Sequence, residues 1–373
     1  MNLDFDPEWI ARSTARIQAV YEGRIPDRVP GYTVEDYPMP APAAMCFDPE
    51  LNLEYQIAKL HLQEQDGFDV VAGVYPFLNT TFFPSLFGAE IDVPPNDLAA
   101  RLPYYMRTGD WPRVKSHPLK DIRDAKHLDV PDVRKRGQGP LLIRMLEYFL
   151  KETRGKIRVG VFHCDGPLFL AHGLMGEQLF LEFYDHPDEV KALMDLCART
   201  IIEVTKLQKR IVGEPLDACW FTQDDVTIPE GHGGIFMALT QAEMISAETY
   251  REFVRPYDIK VLEAFGGGGI HTCGKHMHLF REFSTLPISM IRFYAGAYEP
   301  RLVKETVGRD KVILGVKASA RGGAVPTEAD LLATIGQCKE GGRFILGPNG
   351  YRGAMRSALQ KTGSYVALRS GRL

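Results

Sequence analysis

The residues best equipped for chemistry stand together at 267–274, Gly-Gly-Gly-Ile-His-Thr-Cys-Gly. His271 and Cys273 are two positions apart, and alternate residues of a strand point to one face. An imidazole and a thiol so placed can reach one metal ion, and His with Cys is a common zinc pairing. A catalytic zinc takes three protein ligands and keeps one position open, so these two form an incomplete set. Such a metal deprotonates a thiol or polarises an ether or alcohol oxygen. The glycines from Gly266 to Gly269 remove bulk and let a backbone or ligand approach closely. A buried strand that merely carries a histidine and a cysteine is the structural alternative.

Holding these residues in place calls for a sheet. Apolar runs with strand character fall near residues 30, 70, 160, 219, 270, 291, 314 and 345, each followed by helix. Helices are expected at 7–22, 51–66, 138–154 and 246–265, and over 168–213 with a break near His186-Pro187. Eight parallel strand–helix units predict a (β/α)8 TIM barrel over 1–373, with an N-terminal helical extension. A long insertion after strand 2, residues 77–156, is broken by prolines and is expected to form part of the site wall. An open doubly wound sheet would want a Gly-rich phosphate loop after its first strand, and Gly31-Tyr-Thr-Val-Glu-Asp does not supply one.

A barrel builds its site at the C-terminal strand ends. On that rule the candidates are Tyr75 after strand 2, His163 and Asp165 after strand 3, and Trp220, Asp224 and Asp225 on and after strand 4, expected at 216–222. His271 and Cys273 end strand 5, Tyr294 strand 6 and Lys317 strand 7, with Asn349 after strand 8. The carboxylates Asp165, Asp224 and Asp225 are the candidate proton donors or acceptors. Tyr75, His163, Trp220, Tyr294, Lys317 and Asn349 are the candidate substrate contacts. Each has a structural alternative: Asp165 before Gly166-Pro167 can close a turn, and buried aromatics are often packing. His276 and His278 are read as opening the next helix.

Composition removes several function classes. The chain has 373 residues, 45% of them hydrophobic and 25% charged, with a net charge of -4. Basic residues are dispersed, so nucleic acid is not an expected partner. The six cysteines include no CxxC, which fits reduced thiols in the cytoplasm. No apolar run is long enough for a membrane span, and the acidic N-terminus is unlike a signal peptide.

Four segments carry a resemblance: Gly23-Arg-Ile-Pro-Asp-Arg-Val-Pro30, Asp165-Gly-Pro-Leu168, Ser246-Ala-Glu-Thr-Tyr-Arg-Glu-Phe-Val-Arg-Pro256 and His271-Thr-Cys-Gly274. In order and spacing they resemble the uroporphyrinogen decarboxylase superfamily, and within it the cobamide-dependent methyltransferase branch. The resemblance implies a (β/α)8 barrel in which His271 and Cys273 bind zinc. A methyl group then passes between a small methoxylated or methylated compound and a corrinoid on a partner protein. That branch adds a cysteine after strand 8, where this chain reads Gly347-Pro-Asn-Gly350. Cobamide comes from outside, because the chain has no DxHxxG segment, and a homodimer is compatible with the family. The alternatives are a metal-free lyase acting on a carboxylated substrate and a non-catalytic tetrapyrrole-binding barrel. Porphyrinogen decarboxylation itself is disfavoured, because Val74-Tyr75-Pro76 lacks the aspartate that the true decarboxylases carry there.

Overall fold

The computed structural model describes residues 1–32, 42–93, 111–162, 164–221, 227–272, 274–294, 300–316, 327–338, 343–347 and 352–361. The helix Pro7–Tyr21 starts as its sequence dictates. Asp6 accepts the Glu8 amide at 2.9 Å, Pro7 fills the first turn, and Trp9, Ile17 and Val20 line the buried face.

The strands are β1 (Gly73–Val74), β2 (Glu90–Asp92), β3 (Arg113–Ser116), β4 (Arg158–Val159), β5 (Cys164–Asp165) and β6 (Ile235–Ala238). They continue with β7 (Gly268–His271), β8 (Ile288–Tyr294), β9 (Val312–Val316) and β10 (Phe344–Gly347). β5 to β10 lie side by side in chain order as one sheet, every ladder parallel. β1 pairs in parallel with β4, which leads along the chain into β5. At the far edge Gly31 bridges Leu346 of β10, and its carbonyl accepts the Asp69 amide at 2.9 Å. The parallel α/β architecture is thus present, but near residues 31 and 69 isolated bonds stand where a continuous ladder was expected.

Asp69 ties that junction together. Its buried carboxylate accepts from Arg16 at 2.8 Å, from Arg28 at 2.5 Å and from the Gly31 amide at 3.0 Å. Arg16 also holds Asp27 at 2.6 Å. The Gly23–Pro30 segment therefore works here as a structural knot.

One strand differs from expectation. Of the strand expected at 216–222, the described residues 216–221 do not join the parallel sheet: Cys219 makes an antiparallel bridge with Ile228, and β6, wholly buried, takes the fourth place. A buried ammonium anchors the start of this segment to the preceding helix. Lys209 Nζ donates to Glu214 at 2.6 Å and to the carbonyls of Pro215 at 3.0 Å and Ala218 at 2.6 Å. Phe221 then fills space that Gly73 and Gly160 leave, since an added Cβ would lie 1.9 Å and 2.5 Å from its ring.

The helices follow their predicted spans with two refinements. The region 168–213 breaks at His186-Pro187 and again at Gly176, whose φ of +76° suits glycine. The span 246–265 contains a π-turn, Tyr250–Val254, just before Pro256, which lacks the amide a regular helix needs. The described parts of the 77–156 insertion are more regular than expected, with the antiparallel β2–β3 pair and the helix Gly139–Thr153.

Removing one partner of a buried ion pair costs about 3–5 kcal/mol. Lys209→Met should lower the unfolding free energy by roughly that amount in urea titrations. Adding Glu214→Leu should restore part of it. An unchanged single variant would mean that the pair does not hold the 216–228 segment.

Candidate functional site

Register assembles the site. Asp165 pairs with Ala238, Ala238 with His271, and His271 with Arg292. Residues paired across a ladder project to the same face, so these four form one row. The row occupies the last residues of β5, β6 and β7, and it continues through Leu314 and Ile345. Its charged and titratable groups lie on one side and its aliphatic groups on the other. Asp165 and His271 are two strands apart, about 10 Å between backbones at about 4.8 Å per strand. In the row, Ala238 stands between them.

The glycine run has a packing explanation. Gly266 and Gly267 have φ of +69° and +103°, a turn that side chains rarely allow. A Cβ on Gly268 would meet the Ile235 carbonyl at 2.0 Å, and one on Gly269 would meet Phe236, Met290 and Ile228 at 2.8–3.2 Å. The close approach is therefore by protein. Two residues along the strand, His271 stands on this packed floor, its ring edge-to-face with Phe236 at 6.3 Å.

His271 is 2% exposed and Arg292 4%. Nη1 of Arg292 lies 2.8 Å from Nδ1 and 2.9 Å from Nε2 of the imidazole. A guanidinium is always charged and offers only donors, so it can donate only to a ring nitrogen that carries no hydrogen. Sequence reasoning missed Arg292. Its signal was an arginine inside the otherwise apolar Ser-Met-Ile-Arg-Phe-Tyr run, because arginine is seldom buried without a purpose.

Asp165 is 9% exposed, and burial alone pushes its carboxyl up to about 7. Behind it, Gly166 leaves room for Asp258: a Cβ there would come within 2.8 Å of Leu239 and 3.6 Å of Asp258 Oδ1. Asp258 is fully buried and accepts the Tyr250 hydroxyl at 2.7 Å, while its Oδ1 has no hydrogen-bond partner. Burial raises it too to about 7, against the pull of the Tyr250 hydrogen bond. His276, as expected, opens the helical turn at Met277, and its Nε2 meets the Leu239 carbonyl at 3.1 Å. Burial lowers its pKa.

The other predicted residues fall in different places. Trp220 is at the opposite end of the strands: its ring lies 5.2 Å from the guanidinium of Arg158, the first residue of β4. There it lines a cleft of about 190 Å³ with Val71, Thr14 and Ile17. It is not a wall of the His271 site, because the 216–222 segment that was to carry it does not join the sheet. Tyr75 follows β1, is 4% exposed, and stacks on Phe221 with ring centroids 6.1 Å apart. Tyr294 ends β8. Asp224, Asp225, His163, Lys317, Asn349 and Cys273 lie outside the described residues.

The described residues do not fit a metal ion. Whichever nitrogen of His271 were to ligate, the Arg292 guanidinium is within 3 Å of it. Two unit charges 4 Å apart at an effective dielectric of 20 repel by about 4 kcal/mol, and a dication doubles that. Among the described residues no three histidines, cysteines or carboxylates form a metal-holding group.

Asp165 supplies a pH prediction. Its folded pKa, about 7, lies above the ordinary aspartate value, so its contribution is fully present below about pH 4 and lost as pH rises towards 7. Asp165→Asn should therefore unfold at higher urea than wild type at pH 8, by up to about 4 kcal/mol, with the gap closing towards pH 4. A pH-independent difference would show that the wild-type carboxyl titrates normally.

Comparison with known proteins bears on the whole chain. Residues 42–211, under half of it, match the family model described as Uroporphyrinogen decarboxylase (URO-D). A solved methyltransferase from Methanosarcina mazei superposes with a TM-score of 0.68 at 15% identity, covering 96% of this chain and 98% of that one. A B12-independent methionine synthase from Shewanella sp. W3-18-1 gives 0.49 at 13% identity, covering 92% and 96%, too loose a fit to bear on the site. No curated protein matches the sequence. At such identity the first of these structures speaks for the fold alone, which this chain shares along nearly its full length.

Proposed function

We propose that this protein is a methyltransferase of the uroporphyrinogen decarboxylase superfamily. It moves a methyl group from a small methoxylated or methylated compound to a corrinoid carried by a partner protein. The observation that carries the reading is the row Asp165–Ala238–His271–Arg292, at the strand ends where barrels of this type do their chemistry. The URO-D match and the full-length likeness to the Methanosarcina mazei methyltransferase support it.

In this reading the methyl carbon leaves an ether oxygen and both bonding electrons stay on that oxygen. The oxygen then needs a proton. Asp165, with a pKa near neutrality, is protonated often enough to give one and is regenerated from water. Arg292 supplies positive charge and N–H donors beside the developing oxyanion, and His271, against its Nη1, holds the guanidinium in place. Ala238 leaves the gap that the ether fills. Asp224 and Asp225 remain in the proposal as further proton carriers. No step passes through zinc.

A second reading is a lyase acting on a carboxylated substrate. It is favoured by Arg292 itself, since guanidinium is the usual partner of a carboxylate.

The test is a set of methoxylated aromatic compounds incubated with the protein and a reduced free cobamide, followed by the absorbance of the methylated cobamide. Demethylated product should appear, and Asp165→Asn should slow it by about 10²–10⁴-fold. Carbon dioxide released from carboxylated analogues, with no methyl transfer from any donor, would put the lyase reading in its place.

A further inference from the structure

We propose that Arg292 keeps metal ions off His271, so that the group meeting this imidazole in the reaction is a neutral or anionic oxygen and never a divalent cation. The inference concerns the site's own charge and holds whether the protein transfers methyl groups or cleaves carboxylates. His271 followed two residues later by Cys273 has the spacing of a metal pair. Spacing along one strand does not disclose what the next strand presents at the same level. Here β8 presents Arg292 in register with His271, and its Nη1 is 2.8 Å and 2.9 Å from the two ring nitrogens. Both possible ligand atoms are therefore flanked by a fixed positive charge.

The arrangement is rigid. Both side chains are almost wholly buried, and a β-ladder fixes their backbones. Phe236 packs the imidazole from β6, and Gly269 lets Met290, Phe236 and Ile228 close the floor beneath it. A metal cannot be accommodated by swinging the ring into solvent, and the guanidinium cannot leave without an arginine moving through packed side chains. Of the carboxylates in the row, Asp165 lies beyond Ala238, two strands from the imidazole. An uncharged or anionic oxygen meets no such obstacle, because guanidinium N–H groups donate to it.

Zinc uptake by the intact protein tests this without any assay of activity. Wild type, His271→Ala and Arg292→Gln, purified without chelators, are titrated with zinc against a chromogenic chelator, and bound zinc is counted by atomic emission. Wild type should bind zinc no more tightly than His271→Ala. Arg292→Gln should gain at least tenfold in affinity, and that gain should vanish when His271→Ala is added. About one zinc per wild-type chain, lost in His271→Ala, would overturn the proposal. So would a folded Arg292→Gln protein that gains nothing. Arg292→Met serves if the glutamine variant does not fold, and if neither folds the wild-type comparison with His271→Ala decides alone.

Discussion

The parallel register across β5, β6, β7 and β8 is the constraint on which the site depends. A slip of one residue in any of these ladders would turn Asp165, His271 or Arg292 to the opposite face. With the observed register, an acid, a methyl group, an imidazole and a cation line up on four neighbouring strands. The aliphatic continuation through Leu314 and Ile345 gives the row a polar half and an apolar half. The glycines before His271 serve this register, because any side chain at 268 or 269 would collide with β6 or β8.

Two buried ionic ties hold the frame around that row. Asp69 draws Arg16, Arg28 and the Gly31 amide to one carboxylate, where the chain near residue 31 meets both the approach to β1 and β10. Burial alone would drive Asp69 towards its neutral form, and the arginines oppose that. Lys209 and Glu214 do comparable work on the 216–228 segment. The ties differ in consequence. The first links sheet edges, and the second anchors a strand-like sequence to the preceding helix.

That difference explains where sequence reading worked. β9 is a continuous apolar run and β8 one interrupted by Ser289 and Arg292, both flanked by helix, and both appear where the strand pattern near 291 and 314 puts them. Leu-Asp-Ala-Cys-Trp-Phe has the same character, yet it is anchored by Lys209 on the preceding helix, whose three hydrogen bonds are invisible to any local pattern. Ile-Phe-Met-Ala, which takes its place, is too short to stand out from its surroundings. Asp165 was legible as a residue at a strand end. Its raised pKa was not, because it arises from burial by residues distant in sequence.

The same limit governs the site's charge. His271 and Cys273 lie on one strand, so their pairing can be read from one short segment. Arg292 lies on the next strand, beyond a helix and a turn, and only the ladder brings it level with His271. A motif gives a side chain's identity and the face it occupies, whereas its chemistry depends on the field around it. A histidine beside a carboxylate is a base or a ligand. A histidine against a buried guanidinium stands beside a positive charge, which on the inference drawn above disfavours the cation that its spacing to a cysteine would otherwise attract. In the proposed reaction the oxygen that gains electrons draws its proton from Asp165 and its positive charge from Arg292, while His271 packs against that guanidinium.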